Sequence, residues 1–182
     1  MRVISGKARG TALLAPKGDN VRPTTDFVKE NLFNIIQHDV ADARFLDLFA
    51  GSGAVGIEAL SRGAASCTFV DFAQKSIDLL RKNLEKTRLG VNASIIKGNM
   101  PEAVKKLDGQ AFDIIFLDPP YHKDLAQKCL NSIVEQGILA DDGYIVLEMA
   151  ARENFTPHND LEVLKEKIYG SSKLIFLARK VP

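Results

Sequence analysis

Two short stretches of this chain combine residue types and spacings that can do chemistry. Gly51-Ser52-Gly53-Ala54-Val55-Gly56 follows the pattern G-x-G-x-x-G, and Asp71 lies 20 residues beyond Gly51. Between a strand and a helix, such glycines let the backbone approach a ligand closely. A carboxylate ending the next strand can accept from ribose hydroxyls. That pattern suits any adenosine-bearing cofactor and leaves NAD, FAD and S-adenosylmethionine open. Asp47, four residues before Gly51, helps to choose. A carboxylate at that strand tip repels a pyrophosphate. It suits a ligand whose far end carries an ammonium and a sulfonium, as S-adenosylmethionine does. The plainer roles are Asp47 capping the next helix or holding the loop, and Asp71 as a surface strand end.

The second stretch is Asp118-Pro119-Pro120-Tyr121, directly after the apolar run 112–117. Open α/β sheets bind ligands at the carboxyl ends of their strands. Two prolines remove two backbone donors and stiffen the segment. What remains is a pair of acceptors, the Asp118 carboxylate and the Pro119 carbonyl. An exocyclic amine on a planar base is a poor nucleophile because its lone pair is delocalised. Two acceptors can hold both N–H groups and aim the lone pair at an electrophilic methyl. Tyr121 offers a ring face for an extruded base. The plainer reading is a rigid turn with a helix-capping Asp.

These groups need a scaffold to position them. Pro23-Thr24-Thr25-Asp26 reads as a helix start, followed by Val28, Leu32, Ile35 and Ile36 at helical spacing. Strands are expected at 44–48, 66–71, 93–97, 112–117 and 144–148, with Asp142-Gly143 as a turn into the last of these. Helices alternate with them, including a short one over 101–107. This implies an α/β, doubly wound, mostly parallel sheet. Residues 161–168 and 173–178 form a closing hairpin around Tyr169-Gly170-Ser171-Ser172, an antiparallel addition at one edge. Gly6 and Gly10 suggest a turn between Val3-Ile4 and 11–14, an N-terminal β-hairpin arm.

Composition bounds the rest. The 182 residues are 46% hydrophobic and 26% charged, enough apolar surface for one domain with a sizeable core. No run approaches the ~18 apolar residues that span a bilayer, and the start turns polar too early for a signal peptide. Cys67 and Cys129 are far apart in apolar segments, and His38, His122 and His158 are scattered. A disulfide framework and a zinc site are therefore not expected, and a reducing cytoplasm is. The net charge of +1 hides an asymmetry. Residues 1–25 carry Arg2, Lys7, Arg9, Lys17 and Arg22 against Asp19, a balance of +4, and the remainder carries −3. A basic arm (residues 1–22) on an acidic body (residues 23–182) reads either as a phosphate footprint or as a solvated hairpin.

With these residues in view, the chain resembles the class I S-adenosylmethionine-dependent amino-methyltransferases in Asp47–Gly53 and Asp118–Tyr121. Arg22-Pro23-Thr24-Thr25-Asp26, with Val28, Glu30 and Leu32-Phe33-Asn34, resembles the segment before the glycine turn in bacterial 16S rRNA guanine-N2 methyltransferases (RsmD-like). Asp47 through Ala64 is similar to that family's cofactor loop nearly throughout. Gly6, Arg9-Gly10 and Tyr169-Gly170 fit as well, so the resemblance spans essentially the whole chain. It implies a Rossmann-like sheet of seven strands with the last antiparallel. It implies methyl transfer to the N2 amine of a guanine in 16S rRNA, free or in an assembling small subunit.

By position, Asp47, Phe49, Gly51, Ser52 and Gly53 would frame the methionine part of the cofactor. Asp71 would take the ribose, Phe72 would lie on the adenine, and Asn99 with the Met100 N–H would bind the adenine edge. Asp118, Pro119 and Tyr121 would be catalytic. Lys7 and Arg9 would touch RNA. Arg22 would meet an rRNA phosphate or the cofactor carboxylate, or simply anchor the first helix; Thr24 shares the first two possibilities. A monomer needing no metal and no membrane is expected.

Three other readings use parts of the same motifs. An NAD-dependent oxidoreductase leaves Asp47 and Asp118–Tyr121 without a task. A DNA adenine-N6 or protein glutamine methyltransferase uses the same acceptor chemistry, but this chain has no room for a separate target-reading domain. A non-catalytic RNA-binding assembly protein would not need the intact acceptor and cofactor motifs.

Overall fold

The computed structural model describes residues 1–18, 24–120 and 123–182. The first helix, α1 (Asp26–Ile36), starts where the sequence predicts. The Thr25 hydroxyl caps it by accepting from the Val28 N–H, and Asp26 sits favourably in its first turn. Then follow β1 (Arg44–Leu48), α2 (Ala54–Ser61), β2 (Ser66–Asp71), α3 (Gln74–Thr87), β3 (Ala93–Lys97), β4 (Phe112–Leu117) and α4 (Lys123–Gln136). The chain closes with β5 (Leu139–Ala150), β6 (Leu161–Tyr169) and β7 (Ser172–Arg179). The short helix expected over 101–107 is a 3-10 segment, Glu102–Leu107.

The seven strands form one sheet in the order β3-β2-β1-β4-β5-β7-β6. β1 to β5 are mutually parallel, and β7 runs antiparallel between β5 and β6. β6 therefore runs in the same direction as β5. This is the doubly wound, mostly parallel architecture expected, with the closing hairpin at one edge.

Strand alternation divides the core in two. Phe45, Phe69, Ile114, Phe116 and Val146 face α1, α2 and α3. Leu46, Leu48, Val70, Ile115, Leu117, Ile145 and Leu147 face α4 and the 3-10 segment. Cys67 and Cys129 lie on opposite sides of the sheet as buried free thiols. Among the described residues no helix is long and apolar enough to cross a membrane.

The expected turn at Asp142-Gly143 is instead part of β5, which begins at Leu139 and carries an irregularity opposite Phe112–Ile114. The glycine serves close approach: a Cβ on Gly143 would lie 2.9 Å from the carbonyl oxygens of both Phe112 and Asp113.

The basic arm is strapped across α2. Its hairpin is reduced to a single antiparallel bridge, Arg2 with Ala12. Val3, Ala8 and Leu13 are buried in the same core as α1 and α2. The Lys7 N–H donates to the Ser61 carbonyl (2.8 Å), and the Ala8 N–H to the Ser61 hydroxyl (2.9 Å). Arg2, Lys7, Arg9 and Lys17 remain exposed.

Candidate active site at the carboxyl edge of the sheet

The same alternation that builds the core also assembles the site. Asp71, Asp47, Asp118 and Glu148 lie at, within two residues of, or just past the carboxyl ends of four adjacent strands, β2, β1, β4 and β5. Each keeps the parity of the residues facing α1 to α3, namely Phe69, Phe45, Phe116 and Val146. Four carboxyl groups therefore share one edge and one face of the sheet.

Asp47 lies beneath α2, almost wholly buried, and accepts from the Gly56 N–H at 3.0 Å. That amide is an otherwise unmet donor of the first helical turn, so Asp47 caps α2. Burial pushes its carboxyl up to about 8; the Gly56 N–H opposes the rise and the nearby Asp71 adds to it. The folded chain thus holds a proton that the unfolded chain releases near about pH 4. Between those values the folded state binds more protons. The Asp47 contribution to stability is therefore greatest below about pH 4 and is lost as pH rises toward 8. Asp47→Asn keeps an oxygen for Gly56 and should remove this slope. Urea unfolding at about pH 5.5 and about pH 8 should differ less in the variant than in the parent. An equal difference in both would assign the slope to other groups.

The turn itself coils through left-handed backbone at Phe49 (φ 60°), Gly51 (φ 56°) and Gly53 (φ 82°). Gly53 is required twice over, since a Cβ there would also lie 2.2 Å from Leu80 Cδ1. Gly56 packs α2 onto β2, where a Cβ would come 2.4 Å from the Phe69 ring. Above Gly51 there is open space. Asp71 holds this turn: Oδ2 accepts from the Gly51 N–H (2.9 Å) and Oδ1 from the Ala73 N–H (3.0 Å). Ser52 is buried, and its carbonyl accepts from Asn83 Nδ2 at 2.9 Å. Phe72 follows Asp71 with 58% of its surface exposed. Asn99 is exposed, its carbonyl accepting from the Ala103 N–H (2.8 Å), and Met100 is half-buried against the second core.

Asp118 and Pro119 are half-buried where β4 ends, and Pro120 is exposed. The Thr24 hydroxyl, just before α1, lies 2.8 Å from Glu148 Oε2 and 3.2 Å from Asp118 Oδ2. One hydroxyl proton thus serves two carboxylates, fixing the Asp118 side chain relative to β5 and α1. Within the chain, the contacts of the Thr24 hydroxyl are these two carboxylates. Arg22 and Tyr121 lie outside the described residues. Lys7 and Arg9 stand exposed on the arm, where the Lys7 N–H bonds the Ser61 carbonyl at the end of α2.

Two residues of the site escaped sequence reasoning. Glu148 could have been found from its parity with Asp118. Asn83 is fully buried in α3 between Leu80 and Leu84, a polar residue on an apolar stripe. Its amide accepts from the Leu14 N–H (2.8 Å) and donates to the Leu14 carbonyl (3.0 Å) as well as to Ser52, joining arm and glycine turn. Two surface grooves, of about 540 and 500 Å³, are lined by α3 with β3 and by α1 with β4 to β7. Neither includes Asp47, Asp71 or Asp118; the site is marked by the convergence of its carboxyl groups.

The family described as Conserved hypothetical protein 95 matches residues 1–178. A Bacillus subtilis protein is 43% identical over 176 residues, 93% of this chain and 94% of its own. Ribosomal RNA small subunit methyltransferase D of Escherichia coli K12 is 36% identical over 171 residues, 93% of this chain and 85% of its own. The solved structure of a Thermus thermophilus hypothetical protein superposes with a TM-score of 0.82 at 30% identity, covering 99% of both chains.

Proposed function

Because the chain belongs to the ribosomal RNA small subunit methyltransferase D family, we propose that it methylates the exocyclic N2 amine of a guanine in 16S rRNA, using S-adenosylmethionine. The observation that carries this reading is a glycine turn and an acceptor-only Asp118-Pro119-Pro120 segment on one face of one sheet edge.

The residues present fit the cofactor. Open space above Gly51 admits a ligand against the backbone. Asp47 supplies a buried carboxyl beside the turn; an ammonium placed there would favour its ionised form and lower its raised pKa. Both Asp71 oxygens keep a lone pair for ribose hydroxyls. Exposed Phe72 suits an adenine face, and Asn99 with the Met100 N–H suits its edge. Phe49 and Ser52 complete the loop around the methionine part. When bound, S-adenosylmethionine supplies an electrophilic methyl on a sulfonium.

The rest is the work of the chain. Asp118 and the Pro119 carbonyl accept the two hydrogens of the guanine amine and orient its lone pair. Thr24 holds Asp118, and Tyr121 stacks the base. As the N–C bond forms and the C–S bond breaks, the amine becomes strongly acidic and passes its proton to Asp118 or to water. Positioning provides most of the acceleration. Lys7 and Arg9 meet RNA phosphates. Neutralising both should weaken RNA binding and reduce the slope of log K against log salt by roughly 1 to 2. An unchanged slope would make the arm a solvated strap only.

The reading as a whole is tested by incubating the chain with methyl-labelled cofactor and naked rRNA, assembled small subunits or DNA, then mapping the labelled base. Label on a 16S guanine N2 supports it; label on DNA adenine, or on no nucleic acid, overturns it.

A further inference from the structure

Of the described aromatic side chains only two are exposed, Phe72 at 58% and Phe27 at 61%. Phe72 stands after β2, on the side of Asp118 assigned to the cofactor. Phe27 has no such assignment. It lies off the core-facing stripe of α1, which is Val28, Leu32, Phe33 and Ile36, so packing of the helix does not require an aromatic ring there. It follows Thr24 by three residues, and Thr24 is the hydroxyl that touches Asp118 and Glu148.

Its ring neighbour is Tyr169, edge to face with centroids 6.1 Å apart and planes at 85°. Tyr169 is half-buried at the carboxyl end of β6. Because β6 runs parallel to β5, Tyr169 sits at the same sheet edge as Asp118. Ser172, just beyond the Tyr169-Gly170 turn, pairs with Ala150 of β5, two residues past Glu148. The strand order then puts Phe72 and Phe27 on opposite sides of Asp118, over β2 and toward β7-β6 respectively. A T-shaped contact engages one side of a ring and leaves a face for another partner.

We propose that Phe27, braced by Tyr169, is a stacking platform for an unpaired nucleobase adjacent to the target nucleotide. Single-stranded RNA is commonly held by splayed bases on aromatic rings. A base next to an extruded guanine has lost one stacking neighbour, and an exposed ring at the rim of the acceptor site replaces it. This inference rests on RNA being the substrate.

The experiment compares the parent chain with Phe27→Leu, Phe27→Trp and Phe27→Ser, measuring methyl transfer to small ribosomal subunits and cofactor dissociation. Leucine keeps the apolar character but not the π-face. Phe27→Leu should raise KM for subunits by about tenfold or more, with cofactor affinity and saturated kcat unchanged, and Phe27→Trp should restore the parent KM. Parent-like behaviour of Phe27→Leu, with or without loss in Phe27→Ser, overturns the platform; loss only in Phe27→Ser identifies an apolar contact with protein. Failure of the parent itself to methylate rRNA overturns the substrate reading, and is seen before any variant is compared.

Discussion

Asp118→Ala should lower methyl transfer by roughly 10²- to 10⁴-fold while cofactor binding stays at the parent value. The separation follows from the sheet. Gly51, Asp71 and Phe72 lie with β1 and β2, whereas Asp118 follows β4 and is tied by Thr24 to Glu148 of β5 (2.8 Å). On the proposed reading, removing the carboxylate would leave the guanine amine with the Pro119 carbonyl as its remaining acceptor and free one N–H from control. Prolines at 119 and 120 fix φ and lack N–H groups, so the segment does not rearrange into a new turn that would bring in another acceptor. Asp118→Asn retains one oxygen but adds two donors that face the amine hydrogens, so it should fall between the parent and the alanine variant. Single-turnover transfer and equilibrium cofactor binding, measured on the same preparations, decide the matter. Full transfer by Asp118→Ala, or loss of cofactor affinity equal to the loss of rate, would remove Asp118 from the acceptor role.

The parts of this site written in local patterns are the parts a reader of the sequence can find. G-x-G-x-x-G with Asp71 marks a strand–turn–helix because each glycine answers a nearby constraint: left-handed backbone at Gly53 and contact with Phe69 at Gly56. Period-two alternation from Phe45 and Phe116 points Asp47 and Asp118 to one face. What depends on distant neighbours is hidden. Asn83 looks like any polar residue of an amphipathic helix until the arm arrives beside it from 69 positions away. Asp142-Gly143 has turn composition, yet the carbonyls of Phe112 and Asp113 recruit the glycine into a bulged strand. The asymmetry of charge is visible as +4 on the arm, but its docking is not. Docking is written in Glu58, which in sequence is one more acid within the cofactor-loop motif.

Glu58→Ala should destabilise the fold by about 3–5 kcal/mol, because it strips the nearer and buried carboxylate from a buried cation, leaving the half-exposed Asp26 at 3.8 Å, and the acceptor from two backbone donors at once. Glu58 and Lys29 are both wholly buried. Oε1 accepts from the Ile4 N–H (2.8 Å) with Lys29 Nζ 3.4 Å away. Oε2 accepts from the Ser5 N–H (3.0 Å) and from Arg62 Nε (2.9 Å). Lys29 also donates to the Arg2 carbonyl at 2.7 Å, so α1, α2 and the arm meet at one ion pair. In the alanine variant Arg62 can turn to solvent, but Lys29 cannot. Removing the other charge as well should recover much of the loss. Lys29→Met with Glu58→Gln leaves no lone buried charge and keeps an oxygen for the arm amides. Urea unfolding should therefore rank the parent above the double variant, and the double variant above Glu58→Ala. The arm reports the same event locally: trypsin should cut at Lys7 and Arg9 sooner in Glu58→Ala than in the double variant, under conditions where both remain folded. Equal stability of Glu58→Ala and the parent would mean that Val3, Ala8 and Leu13, with the Ser61 and Asn83 hydrogen bonds, suffice to hold the arm, and that the buried pair only sets its register on α2.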